Sequence, residues 1–132
     1  MSGPSLPGML TLVRSGSAIV RAPADISSAP FWVEHLLSGG PDGEPTAMRA
    51  IFDPGVRTHW HSHPRGQLLL ALGGVGLAQR RGGDVIEIRA GDAVWFAPDE
   101  AHWHGAASQS VFSYVSVQSM QDGAAVHWLE PA

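Results

Sequence analysis

From Thr46 onward, apolar and polar residues alternate in short bursts rather than in helical stripes. Thr46 to Phe52, Thr58 to His63, Gln67 to Leu72, Val75 to Arg80, Val85 to Ile88, Ala93 to Phe96, Ala101 to Gly105 and Val111 to Gln118 each read as a strand. Asp53-Pro54-Gly55, Gly73-Gly74, Gly82-Gly83-Asp84 and Ala90-Gly91-Asp92 separate them as turn signals. No stretch sustains an i, i+3, i+4, i+7 spacing, and there is no internal repeat. Such spacing predicts an all-β sandwich or barrel over residues 46–132. Upstream, Phe31 to Leu37 predicts a strand closed by Ser38 to Gly43, while Leu10 to Arg14 and Ala18 to Arg21 are shorter candidates. Residues 1–8, rich in Pro, Gly and Ser, read as a mobile lead-in. Residues 1–45 are therefore expected to form an arm whose short strands pack on the barrel or on a partner.

The run after Gln67 carries a second expectation. If Gln67, Leu69 and Ala71 face inward, Leu68, Leu70 and Leu72 face the other way, because successive side chains of a strand alternate between faces. A broad apolar face usually marks an interface, and Trp60 and Trp103, opposite their flanking histidines, add to it, so a homodimer is expected.

Composition narrows the class. The 132 residues fit one domain, and 16 Gly with 10 Pro favour turns and short strands. A net charge of −4 with scattered arginines gives no footprint for nucleic acid or for an anionic membrane surface. The first residues lack a basic region followed by an apolar one, so neither a leader nor a membrane span is expected and a cytoplasmic location follows. With no cysteine in the chain, any metal must be bound through nitrogen and oxygen.

Histidine spacing points to such a metal. His59, His61 and His63 fall at alternate positions, so on a strand His61 and His63 project from one face toward one point. Gln67 can add its amide oxygen from a neighbouring strand, and a fourth ligand can come from His102 or His104, where the same spacing recurs about forty residues later. His59 shares the parity of His61, and only a bulge or twist decides whether it reaches the site. His35 stands alone in its strand and reads as structural; His127 reads as outside the site.

These residues resemble the two motifs of the cupin family, small antiparallel β-barrels with an internal metal site. The first motif, G-x5-H-x-H-x3-E-x6-G, fits Gly55, His61, His63 and Gly74, with Gln67 where glutamate is usual. The second, G-x5-P-x-G-x2-H-x3-N, fits Gly91 and His102, with Ala97, Asp99 and Ala106 replacing proline, glycine and asparagine. The glutamine makes the chain similar to the subgroup of manganese-dependent cupin hydroxynitrile lyases. That resemblance implies a jelly-roll barrel (a double-stranded β-helix) and one divalent metal per chain, held by His61, His63, Gln67 and His102. It puts manganese first among Mn, Fe, Co, Ni and Zn. The expected activity is lyase chemistry on a small-molecule substrate, with His104 and Tyr114 as proton handlers; in those lyases a further histidine stands where this chain has Tyr114. The same frame would also suit a metal-dependent dioxygenase or peroxide-using oxidase, or a non-catalytic module that binds a small ligand.

Overall fold

Along the strand Phe112–Ser119, Phe112, Tyr114, Ser116 and Gln118 are buried and the residues between them half-exposed, the period-two signature of a strand with one face in a core. In the computed structural model, which describes residues 5–132, ten strands form and no helix. They are β1 (Ile19–Arg21), β2 (Trp32–Ser38), β3 (Pro45–Phe52), β4 (His61–Ser62), β5 (Gln67–Arg80), β6 (Val85–Arg89), β7 (Ala93–Phe96), β8 (His102–Ala106), β9 (Phe112–Ser119) and β10 (His127–Trp128). Pairing is antiparallel throughout. One layer runs β1-β2-β3-β9-β5-β7 and the other β6-β5-β8-β4-β10, with β5 shared between them. The all-β jelly-roll expectation holds, and Phe31, Phe52, Leu69, Ile88, Phe96 and Phe112 fill the interior. The mobile lead-in falls partly on residues 1–4, which lie outside the described residues.

The shared strand corrects one expectation. Gly73-Gly74 is no turn but a bulge inside a single 14-residue strand, whose register against β9 slips between Ala71 and Gly73. Gly74 takes φ +73°, and a Cβ there would lie 1.8 Å from the Val111 carbonyl oxygen. Glycine thus lets β5 turn the barrel corner without breaking. Asp99, where the second motif usually has glycine, takes a left-handed φ of +63°, which aspartate tolerates better than most residues.

Two other segments depart from the expected strands. Only His61–Ser62 of the Thr58 to His63 stretch is strand, because its backbone donors serve different neighbours: Thr58 N–H bonds His104 O, His59 N–H bonds Ile26 O, and Trp60 N–H bonds Glu130 O. Leu10 to Arg14 finds no strand partner and leaves Met9, Leu10 and Leu12 exposed.

The outward face of β5 is apolar, as its parity required. Leu68, Leu70 and Leu72 are 36%, 39% and 50% exposed, and Trp95, cross-strand from Leu68, is 58% exposed. Trp103 is buried within the chain and Trp60 half-buried, with Arg57 stacked over the first ring and Arg81 over the second. No helix among the described residues is long and apolar enough to cross a membrane.

Candidate metal centre

Strand pairing brings the two histidine pairs together. His61 on β4 lies opposite His102 on β8, and the alternation of β8 sends His104 to the same side. His63 follows in a turn whose carbonyl accepts from both Gly66 N–H and Asp99 N–H, tying the two histidine segments together. Gly66, at φ +79°, has no room for a side chain, because a Cβ would sit 2.4 Å from the Trp95 ring. Gln67 then opens β5 with its side chain buried.

All four rings are almost wholly buried. Loss of hydration holds His61 and His104 well below the usual histidine range, further lowered by the neighbouring imidazoles, and it brings His63 and His102 down to about 4. The imidazoles are therefore neutral at pH 7, with one lone pair each. Hydrogen bonds decide which nitrogen carries it. Nδ1–H of His61 donates to the His59 carbonyl at 2.8 Å, Nδ1–H of His63 to Ala125 at 2.8 Å, and Nδ1–H of His102 to Glu100 at 2.9 Å. A carbonyl only accepts, so each of these rings has its lone pair on Nε2. Nε2 of His63 and of His102 is buried with no protein partner, as is Oε1 of Gln67.

His104 is anchored differently. Its Nε2 lies 2.8 Å from the Tyr114 hydroxyl, and its Nδ1 is the buried nitrogen without a partner. Burial pushes the Tyr114 phenol up, so it remains protonated. Thr58 Oγ1 accepts the backbone N–H of His104 and lies 3.4 Å from Nδ1 of His61.

Distance alone gathers His61, His102 and His104, which can each offer one ring nitrogen within 4.8 Å of the others, a triad that could hold a metal ion. His63 is outside that triad, although its ring centre is 5.1 Å from that of His61 and 5.3 Å from that of His102. The hydrogen bonds sort the rings otherwise. A carbonyl behind the distal nitrogen is the usual outer support of a metal-bound histidine, and His61, His63 and His102 have one while His104 does not. The bonding pattern fixes which atom of each ring presents a lone pair. The imidazole and amide-oxygen donors present fit a divalent transition ion.

Above these atoms lies a mainly apolar cavity of about 160 Å³, walled by residues including Phe31, Val33, Met48 and Val126, with His104, Tyr114 and Gln67 facing into it. An apolar void of about 150 Å³ takes up benzene, so one aromatic ring fits. Several contributors carried no signal in the sequence: Gln118 on the wall, the Ala125 carbonyl behind His63, Trp128 at 4.7 Å from the His61 ring, and Phe96 stacked on His102 at 3.7 Å. Only the alternation of β9 could have pointed to Gln118. His59 contributes its carbonyl while its ring is absent from the wall, His35 lines the cavity, and His127 is exposed on β10.

A model of the family described as Cupin domain matches residues 48–118. A protein named (R)-mandelonitrile lyase from Granulicella tundricola is 41% identical over 122 residues, which cover 92% of this chain and 93% of that one. The crystal structure of a cupin-like protein from Thermotoga maritima is 30% identical with a TM-score of 0.76, over 92% of this chain and 90% of that one. The polyketide cyclase RemF from Streptomyces resistomycificus shares the fold at 17% identity, with a TM-score of 0.71 over 94% of this chain and 87% of that one.

Proposed function

This chain belongs to the cupin family, and from that premise we propose that it is a metal-dependent lyase that splits a small aromatic cyanohydrin into an aldehyde and hydrogen cyanide. The observation that carries the reading is the division among four buried histidines: three are braced by carbonyls, and the fourth is braced by a phenol and open toward the cavity. The name of the Granulicella relative supports the substrate class. His61, His63, Gln67 and His102 would hold the ion, with manganese first and iron, cobalt, nickel or zinc also suited to these donors. When bound, the ion supplies Lewis acidity, and neutral Gln67 leaves its full charge uncompensated by the protein.

The chain's own groups handle the proton. With Nε2–H donating to the Tyr114 oxygen, the Nδ1 lone pair of His104 faces the cavity and takes the proton from the substrate hydroxyl. The oxygen forms the aldehyde carbonyl as the bond to the nitrile carbon breaks, and the electron pair leaves on cyanide. Because burial disfavours the charged imidazolium, His104 passes the proton on to cyanide and returns to its starting state. Phe31, Val33, Met48 and Val126 surround the ring of the substrate and exclude water.

In this reading residues 46–132 form the barrel, residues 1–45 the arm, and a second copy covers the Leu68, Leu70, Leu72 and Trp95 face. The test is to mix manganese-loaded protein with mandelonitrile and follow benzaldehyde. A metal-dependent rate is expected, and none above background would sink the lyase reading. Light scattering checks the dimer, which Leu70→Lys should dissociate.

A further inference from the structure

We infer that Gln118 is a positioning residue that fixes which end of the Gln67 amide faces the centre; the inference rests on the proposed role of Gln67. A glutamine amide has nearly the same shape when turned by 180°, yet one orientation presents a lone pair and the other two N–H donors. Packing cannot distinguish them. Hydrogen bonds can.

Thr46, Gln118 and Gln67 stand in register across three neighbouring strands: Gln118 of β9 is cross-strand from Thr46 of β3 and from Gln67 of β5. Gln118 Nε2 donates to the Thr46 backbone oxygen at 3.2 Å and to Thr46 Oγ1 at 2.6 Å. A backbone carbonyl only accepts, so the Gln118 end facing Thr46 must be the NH₂ group. Gln118 then has only Oε1 to offer to Gln67. Gln67 answers with Nε2, which donates at 2.9 Å, and its Oε1 is left buried, unpartnered and toward the histidines. Each choice forces the next, starting from a group that cannot reverse.

The row also bears on why position 67 is neutral. A carboxylate there has no donor and would set oxygen against Gln118 Oε1. Gln118 could relieve this only by turning, which would set its own oxygen against the Thr46 carbonyl. Thr46 and Gln118 together make Gln67 the compatible side chain.

The experiment compares wild type, Gln118→Met and Thr46→Val. It measures Mn(II) affinity by titration calorimetry and the side-chain amide signals of Gln67 by NMR in metal-free protein, assigned by their loss in Gln67→Met. Gln118→Met keeps the bulk and removes the polarity. It is expected to weaken Mn(II) binding about 10- to 100-fold, the usual cost of losing an outer partner of a ligand. It should also shift the Gln67 amide protons toward exposed values while the melting temperature shows a folded chain. Thr46→Val keeps the backbone carbonyl and should weaken binding less than about threefold, since one neutral hydrogen bond is lost at one remove. Unchanged Gln67 amide signals in Gln118→Met, or Mn(II) binding within about twofold of wild type, would overturn the inference. If wild type itself takes up no Mn(II) but the Gln67 amide signals still respond to Gln118→Met, the metal reading fails and the positioning role stands.

Discussion

The two histidine pairs, His61 with His63 and His102 with His104, have the same spacing and the same burial but different partners. In the first pair both distal nitrogens donate to carbonyls, of His59 and Ala125. In the second, His102 does so toward Glu100, while His104 meets a hydroxyl that can either donate or accept. A carbonyl locks a ring into one tautomer; a phenol lets both exist. Identical spacing therefore yields two bonding states, a fixed lone pair on three rings and, on the fourth, a tautomer that its partner does not lock.

Removing a locked ring should have the largest effect. His63→Ala and His102→Ala are expected to lose bound metal altogether on a mass-spectrometric count per chain, from about one in wild type. Full retention in both would erase the distinction between the pairs. His104→Ala should instead keep its metal and lower kcat by roughly 10²- to 10⁴-fold, the range of a general acid–base group. Metal loss equal to that of His63→Ala would move His104 among the ligands.

Acid should act on the pairs together. Folding holds His63 and His102 down at about 4, while an unfolded histidine titrates near 6.5, so between these values the unfolded chain binds more protons. Stability of the metal-free protein is thus highest above pH 6.5 and declines toward pH 4, by roughly 1.4 kcal/mol per pH unit for each such histidine. Urea midpoints at pH 7 and pH 5 check the sign, and a flat response would mean that these rings are not neutral in the fold. Tyr114→Phe should have the smallest effect, about tenfold in kcat for one hydrogen bond to the His104 ring, with metal content unchanged.

Much of this arrangement was legible in the residues because strands have a period of two. The inward parity of Gln67, Leu69 and Ala71 on β5 and the converging histidines follow from it, as does the apolar outer face of Leu68, Leu70 and Leu72. Period says nothing about a glycine pair, which serves a turn and a bulge equally well, so Gly73-Gly74 reads as a turn signal where the strand forms a bulge. Nor does it reach segments whose donors are divided among several neighbours, as in Thr58 to Trp60. Ala125 acts through its carbonyl, which no side chain advertises. His35 looked isolated because its strand shows no histidine partner, yet the curl of the barrel brings it to the cavity wall.

The bond from His63 to Ala125 joins groups 62 residues apart in the chain. Synthesis runs from the N-terminus, so His63 leaves the ribosome well before the carbonyl that selects its tautomer. His61, His102 and their own carbonyl partners can all be in place while His63 still exchanges its proton between two nitrogens. The third fixed lone pair is thus set from a segment that follows every strand but β10, and a barrel in which β2 to β9 have already paired still lacks it.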